Sequence, residues 1–170
     1  MNRDLQKKAN SLALTQQYAG VTNVLMSKIQ IISPDRMEII CRDAEGIWDT
    51  GATVSVISKQ LAETLGLKPV SFGFSNTANG RMPNNIYYLG LGLPNGVAIP
   101  NLRICDGNIP CDLLIGMDVI SCGDFHISNV NGKTVFTFRI PSLDEKDYVK
   151  EIELARACAT KAPLPKKKKK

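Results

Sequence analysis

The feature of this sequence that most restricts its fold is a succession of short apolar segments separated by turn-forming residues. Residues 29–32 and 86–93 are rich in isoleucine, leucine and tyrosine, which favour short strands. Asn79-Gly80 is a dipeptide typical of tight turns between antiparallel strands. Many short strands with frequent turns predict a closed or sandwiched all-β unit over residues 21–141.

Helical patterns flank this unit. Residues 2–19 are rich in glutamine, lysine, leucine and alanine and end at Gly20, which predicts a helix with a glycine stop. Ser142 and Glu145 form a capping-box pattern that predicts a C-terminal helix over residues 143–160.

Two shorter helices are predicted inside the unit, one over residues 59–65 after Ser58 as N-cap and one turn within residues 117–122. The predicted organisation is an N-terminal helical segment at residues 1–20 and a central domain at residues 21–141. A C-terminal helix at residues 142–161 and a disordered lysine-rich tail at residues 162–170 follow.

The positive charge of the chain is concentrated at its end. Lys166 to Lys170 supply five of the 21 basic residues, and without them 16 basic residues face 16 acidic ones. The folded body is therefore close to neutral, so nucleic-acid binding is an unlikely function, and a binder acting through the tail is the weakest alternative. No apolar run is long enough to cross a bilayer, and the N-terminus lacks the apolar core of a signal peptide. We expect a cytoplasmic protein.

The five cysteines give no sign of a disulfide framework or a metal site. Their number is odd, and no two of them have the C-x-x-C spacing of most structural zinc sites. Reduced thiols and no cofactor are expected. The lone His126 lies in a strand-like segment, and no serine occupies a G-x-S-x-G elbow, so a nucleophile-histidine mechanism is not indicated.

Asp49 lies in the sequence Asp-Thr-Gly-Ala. All of Asp49, Thr50 and Gly51 are good turn formers, and the tripeptide alone could be a simple turn. Apolar residues bracket it on both sides, however, and a second motif follows: Leu-Ile-Gly-Met-Asp, which ends at Asp118, 69 residues after Asp49. The two motifs together favour a functional site.

The pair of motifs, in this order and spacing, resembles the retropepsins, the retroviral-type aspartic proteases. The resemblance covers residues 21–141 and implies a single-lobe closed β-barrel that hydrolyses peptide bonds. It implies catalytic roles for Asp49, Thr50 and Gly51, and structural support from Gly116 and Asp118. It also implies a substrate-binding role for Ala52 and for a flap hairpin made by Asn76, Thr77, Ala78, Asn79, Gly80, Arg81 and Met82.

A single Asp-Thr-Gly predicts that two chains are needed. Aspartic proteases use two carboxylates that share one proton, and this chain contains no second Asp-Thr-Gly or Asp-Ser-Gly. Asp118 fits better as an acceptor of nearby backbone hydrogen bonds than as the partner. The resemblance therefore implies a homodimer, in which two copies of Asp49 meet on a two-fold axis and act on a protein or peptide substrate.

Two departures from the viral pattern affect the dimer. Met117 stands where viral members often carry an arginine that helps hold the dimer, and a helix replaces the short terminal strand through which viral dimers interleave. The helical segments at either end are alternative dimer elements. A catalytically silent binding or assembly module with the same fold is the alternative function, because fold alone does not establish activity.

Overall fold

The computed structural model describes residues 3–77 and 80–161. The predicted lysine-rich tail therefore lies outside the described residues. The strands are β1 Leu12–Gln17, β2 Met26–Ser33, β3 Glu38–Trp48, β4 Val56–Ser58, β5 Ser71–Thr77, β6 Gly80–Gly92, β7 Ala98–Gly107, β8 Leu113–Ile115, β9 Asp124–Ser128 and β10 Val135–Ile140. The helices are α1 Arg3–Ala9, α2 Lys59–Thr64, α3 Met117–Ile120 and α4 Tyr148–Lys161.

Six strands close into a barrel. They pair in the order β2-β3-β8-β4-β7-β6, and a further pairing of β6 with β2 completes the ring. Strand β5 lies outside the ring and, within the described ranges, pairs only with β6. Most pairs are antiparallel, but β3 with β8 and β4 with β7 are parallel. The predicted closed, single-lobe all-β barrel with short internal helices and helices at both ends is confirmed.

The barrel is filled by aliphatic side chains from alternate strand positions. Alternation places every second side chain of a strand on the inner face, where its removal from water stabilises the fold. The fully buried aliphatic residues of the barrel strands include Ile29, Ile31, Ile57, Leu91, Ile104, Leu113 and Ile115.

A second, three-stranded sheet covers one side of the barrel. Its order is β1-β10-β9, all antiparallel. Its inner face carries Phe136 and Phe138, whose rings lie 5.1 and 4.9 Å from that of Trp48 at the end of β3. The Trp48 indole N–H donates to the Ser27 hydroxyl at 2.9 Å, so the buried ring also has its polar atom satisfied. This aromatic cluster fixes the end of β3.

The N-terminal helix is shorter than predicted. Among the described residues of this segment the helix spans Arg3–Ala9, and residues 12–17 form β1 instead of continuing the helix to Gly20. The reason is tertiary: Leu14 is buried in the core, and β1 pairs along its whole length with β10. Packing has overridden a helical composition.

The C-terminal helix begins later than predicted, at Tyr148. The Ser142 hydroxyl does not cap a helix; it donates to the Asp124 carboxylate, which also accepts from the Leu143 amide at 2.9 Å and from Arg139. The cap is provided by Asp147, whose carboxylate accepts from the Lys150 N–H at 3.1 Å.

The two short internal helices form as predicted. The Ser58 hydroxyl accepts from the Leu61 N–H at 3.1 Å and caps α2, and Gly66 follows this helix with a positive φ of 61°. Helix α3 provides the predicted turn after Gly116. No helix within residues 3–77 and 80–161 is long and apolar enough to cross a membrane.

The aromatic cluster generates a stability prediction. Phe136→Ala removes a fully buried ring and leaves a cavity beside Trp48, so we expect it to lower the free energy of unfolding by about 3–5 kcal/mol. Urea denaturation measures this. Phe72→Ala is the matched control, because that ring is 78% exposed and its loss should change the free energy by less than about 0.5 kcal/mol.

The Asp124 cluster predicts acid sensitivity. Burial alone would raise the pKa of Asp124, but hydrogen bonds from Ser142, the Leu143 amide and Arg139 outweigh it and lower the pKa from 3.8 to about 2. A carboxyl whose pKa is lowered by folding stabilises the protein above its unfolded pKa, and this stability is lost as the pH falls from about 4 to about 2.

We therefore expect Asp124→Asn to destabilise the protein by about 1–2 kcal/mol at pH 6 and by progressively less below pH 4. Urea unfolding at several pH values measures the difference. A difference that stays constant down to pH 2 would contradict the assignment.

Candidate active site

Asp49 is the first residue beyond β3, at the edge of the barrel. Its N–H donates to the Ile115 carbonyl at 2.9 Å, which extends the parallel pairing of β3 with β8 by one bond. The Trp48 N–H donates to the Leu25 carbonyl at 3.0 Å on the other side. Asp49 is thus held between two neighbouring chain segments, and its side chain is half-buried.

The Asp-Thr-Gly turn is closed by its own hydrogen bonds. The Gly51 N–H donates to the Asp49 carboxylate at 2.8 Å, and the Ala52 N–H donates to the Asp49 carbonyl at 3.2 Å. A Cβ on Gly51 would lie 3.1 Å from that carboxylate oxygen, so glycine permits the close approach. Thr50 and Gly51 are exposed, which leaves the turn accessible from outside.

Gly116 lets the second motif pass directly beneath the turn. The Met117 N–H donates to the Ala52 carbonyl at 2.8 Å. A Cβ on Gly116 would lie 2.7 Å from the Val54 carbonyl carbon and 2.9 Å from the Ala52 oxygen. Both contacts are with backbone, which cannot rotate away, so only glycine fits without a shift of the Asp49 loop.

Asp118 fastens the two motifs to each other. One carboxylate oxygen accepts from the Ser55 N–H at 2.9 Å; the other accepts from the Ser55 hydroxyl at 2.8 Å and from the Val119 N–H at 3.0 Å. Both oxygens are therefore engaged in holding backbone, in the way expected of a structural carboxylate rather than a second catalytic one.

Ser55 is a site residue that the sequence did not reveal. It is fully buried, its hydroxyl donates to Asp118, and the same oxygen accepts from the Gly116 N–H at 3.0 Å. It connects the chain after the Asp49 turn to Gly116 in the middle of the second motif and to Asp118 at its end. The only sequence signal was a polar residue between two valines, a pattern that also describes an outward-facing strand residue.

The predicted flap is a long antiparallel hairpin of β5 and β6. Seven residue pairs join the strands, from Ser71 with Ile86 to Thr77 with Gly80. Asn76 pairs with Arg81, whose guanidinium lies 4.2 Å from the centre of the Phe74 ring. The predicted flap residues Ala78 and Asn79 lie outside the described residues.

A cavity of about 380 Å³ lies between this hairpin and the barrel wall. Its lining combines hairpin residues, including Met82 and Ser75, with residues of the barrel, including Val56 and Leu114. Val56 of β4 and Leu114 of β8 are paired residues. Strand β8 also pairs with β3, which ends directly before Asp49. Ala52 does not line this cavity; it contributes to the site through its backbone bonds in the turn.

The base of the hairpin is tied to β7 by the buried Asp106. Its carboxylate accepts from the Asn85 N–H at 2.9 Å, the Asn85 amide at 2.6 Å and the Tyr87 hydroxyl at 3.3 Å. Burial, reinforced by the Asp106 charge, raises the pKa of Tyr87, so this hydroxyl remains a donor at neutral pH. The hairpin is therefore anchored at its base.

No group of three or more metal-binding side chains occurs within the described parts of the chain. His126 lies on β9 in the outer sheet, where its Nδ1 is 3.5 Å from the Tyr148 hydroxyl. The histidine therefore takes no part in the Asp49 turn.

Comparison with known proteins agrees with this geometry. Residues 42–119, which contain both motifs, match the family model described as aspartyl protease. The predicted resemblance to the aspartic proteases is confirmed over these residues. No curated protein sequence matches the chain.

Three solved structures show distant likeness. The retropepsin-like aspartic protease from Rickettsia conorii is 14% identical, with 77% of this chain and 95% of that one covered at a TM-score of 0.49. The EIAV protease complexed with the inhibitor HBY-793 is 16% identical, with 61% of this chain and 89% of that one covered at a TM-score of 0.47. The retroviral protease-like domain of Ddi1 from Leishmania major is 21% identical, with 75% of this chain and 99% of that one covered at a TM-score of 0.42.

The contacts of Gly116 predict the effect of one methyl group. Gly116→Ala forces Cβ against two backbone carbonyls, and we expect it to lower the free energy of unfolding by about 1–3 kcal/mol or more. Urea denaturation tests this. Gly20→Ala is the control, because a Cβ there meets no atom within 4 Å and its φ is not positive. Equal stability of the two variants would show that the Asp49 loop can shift freely.

Proposed function

We propose that this protein is an aspartic endopeptidase whose active species is a homodimer, with one Asp49 carboxylate from each chain. The observation that carries the proposal is the Asp49 turn, an accessible turn with a half-buried carboxylate. The Asp49 N–H donates to the Ile115 carbonyl, the Gly51 N–H donates to the Asp49 carboxylate, and the Ala52 N–H donates to the Asp49 carbonyl. Asp118, the nearest alternative partner in the motifs, has both oxygens bound to Ser55 and Val119.

The proposed reaction needs one ionised and one protonated carboxylate. The ionised Asp49 takes a proton from a water molecule, whose oxygen attacks the peptide carbonyl carbon. The protonated Asp49 of the other copy donates a hydrogen bond to the carbonyl oxygen. The tetrahedral intermediate then breaks its carbon–nitrogen bond, and a proton passes to the leaving amine. Water is consumed, and an acid and an amine are released.

The shared proton follows from electrostatics. Two carboxylates about 3 Å apart repel by about 5–6 kcal/mol at an effective dielectric near 20. This corresponds to roughly four pKa units, so the pair holds a single proton over a wide range of pH. Thr50 and Gly51 are proposed to position the two carboxylates, and Gly116 and Asp118 to support their loops.

The proposed substrate is a protein or peptide segment bound in extended form between the Asp49 pair and the hairpin. The cavity under β5 and β6 is lined by hairpin and barrel residues, including Met82 and Leu114, and supports a binding role for the hairpin. An extended peptide can add to exposed strand backbone. Ala52 and residues 76–82 are proposed to contact it. Cys41, Cys105, Cys111, Cys122 and Cys158 are all free thiols, which supports the proposed cytoplasmic location.

Asp49→Asn tests the proposal directly. The amide keeps the shape of the side chain but cannot act as the base, so we expect peptide cleavage to fall by at least about 10²–10⁴-fold. Cleavage of a mixed peptide library by purified protein measures this. Asp35→Asn, on the exposed turn between β2 and β3, is the control and should retain full activity.

A mixing experiment tests the need for two chains. Adding an equal amount of Asp49→Asn protein to wild type should reduce cleavage to about half, because half of the wild-type chains then pair with an inactive copy. Unchanged cleavage would mean that one chain is sufficient. A wild type that pairs but cleaves no peptide at any pH would instead support the silent binding module.

A further inference from the structure

The hairpin of β5 and β6 has a second face, opposite the cavity beneath it. Ser75 and Met82 line that cavity. Because successive side chains of a strand point to opposite faces, Phe72, Phe74 and Arg81 lie on the outer face of the hairpin. Phe72 is 78% exposed and Phe74 is 63% exposed. We call Phe72, Phe74 and Arg81 the outer hairpin face. Large apolar side chains grouped at a surface in this way are typical of a binding site.

Strand β5 also has an open edge. One edge pairs with β6, and within residues 3–77 and 80–161 no strand pairs with the other. Exposed edge strands usually carry charged residues or proline, which prevent pairing with another chain. The seven residues of β5 include neither a charged residue nor a proline. The edge beside the two phenylalanines is therefore suited to receive an added strand.

The charge of this part of the chain has one sign. Between Glu63 and Asp106 the sequence contains Lys68, Arg81 and Arg103 but no aspartate or glutamate. Asp106 itself is buried, and its carboxylate accepts the hydrogen bonds that tie the base of the hairpin to β7. A partner segment that carries a carboxylate is therefore attracted to the hairpin, and one that carries lysine or arginine is repelled.

Arg81 is held on the outer hairpin face beside the rings. Its guanidinium lies 4.2 Å from the centre of the Phe74 ring, where the cation is attracted to the aromatic face. The strand partner of Arg81 is Asn76, two residues from Phe74, so the two side chains are diagonal neighbours across the strands. An acid that binds Arg81 therefore lies directly beside exposed aromatic surface.

We infer that the outer hairpin face and the open edge of β5 bind an extended segment of the substrate protein, remote from the peptide bond that is cleaved. The segment adds to β5 as an extra strand, with apolar residues at alternate positions beside Phe72 and Phe74 and an acidic residue at the Arg81 end. The inference rests on the proposed function, because it assigns this surface to the substrate of that activity. A second contact of this kind raises the effective concentration of the substrate at the Asp49 pair.

Binding is measured apart from cleavage, with the Asp49→Asn protein. The probe is a fluorescein-labelled peptide as long as β5, in which valine and threonine alternate between two terminal glutamates, and fluorescence anisotropy gives its Kd. We expect Phe72→Thr to raise this Kd at least about fivefold, because an aromatic anchor is lost. Val130→Thr is the matched control. Val130 is 69% exposed on the turn between β9 and β10, and its Kd should stay within about twofold.

The role of Arg81 is tested with the charge of the peptide. Replacing both glutamates with glutamines should raise the Kd about two- to threefold, the size expected of an exposed ion pair. The same replacement should have no effect on binding to a protein that also carries Arg81→Gln, because the cation is absent. An equal loss in both proteins would show that Arg81 does not recognise the acid.

Three results would overturn the docking surface. One is a peptide that does not bind, or binds equally well to Phe72→Thr. Another is a loss of binding in Met82→Thr but not in Phe72→Thr, which would place the peptide in the cavity beneath the hairpin. The third is self-association of the wild type that Phe72→Thr abolishes in sedimentation, which would assign the surface to a second copy of this chain.

A cleavage assay separates this surface from the proposed activity. A peptide that the wild type cleaves is extended by a flexible linker and the probe sequence. We expect its KM to fall at least about fivefold with kcat unchanged, and Phe72→Thr to remove this gain without changing the KM of the unextended peptide. An extension that leaves KM unchanged overturns substrate docking while the enzyme stands. A wild type that cleaves no peptide contradicts the enzyme, whereas binding that depends on Phe72 still supports the docking surface.

Discussion

The parallel pairing of β3 with β8 is the constraint on which the candidate site depends. Parallel pairing places the ends of two strands that are far apart in sequence at the same edge of the sheet, so Asp49 and Gly116 lie side by side. Because these segments lie so close, a Cβ at position 116 would collide with the backbone of Val54 and Ala52. The same proximity allows the Asp118 carboxylate to accept a hydrogen bond from Ser55. Among the described residues no buried side-chain polar atom lacks a hydrogen-bond partner, and the bonds of Ser55 and Asp118 hold the turn in one geometry.

The sequence predicted the parts of this arrangement that short motifs encode. The turn at Asp49 and the cap at Ser58 each depend on residues close together, and the structure contains the corresponding contacts. The Asp118 carboxylate binds Ser55 and Val119, and its supporting role stays a prediction. Strand β1 was missed because its state is decided by pairing with β10, more than a hundred residues away. Ser142 was misassigned for the same reason, since its hydroxyl binds the distant Asp124.

Buried polar residues show the limit of reading periodicity alone. Ser55 and Asp106 both lie within strand-like segments, where an alternating polar residue normally indicates the solvent face. In the folded chain both are buried and each binds a segment that is remote in sequence: Ser55 the second motif, and Asp106 the base of the hairpin. Closing a sheet into a barrel decides which strand faces become interior, and no local pattern contains that information.

The enclosure of β10 between β1 and β9 has a consequence for how the protein is made. Each chain completes its own hydrogen-bonded sheets, so folding does not require an encounter with another molecule. Newly made chains can then accumulate as intact but solitary units. If catalysis requires two chains, the concentration of the protein determines when proteolysis begins. At low concentration the chains are single and inactive, and a high local concentration starts cleavage without any covalent modification.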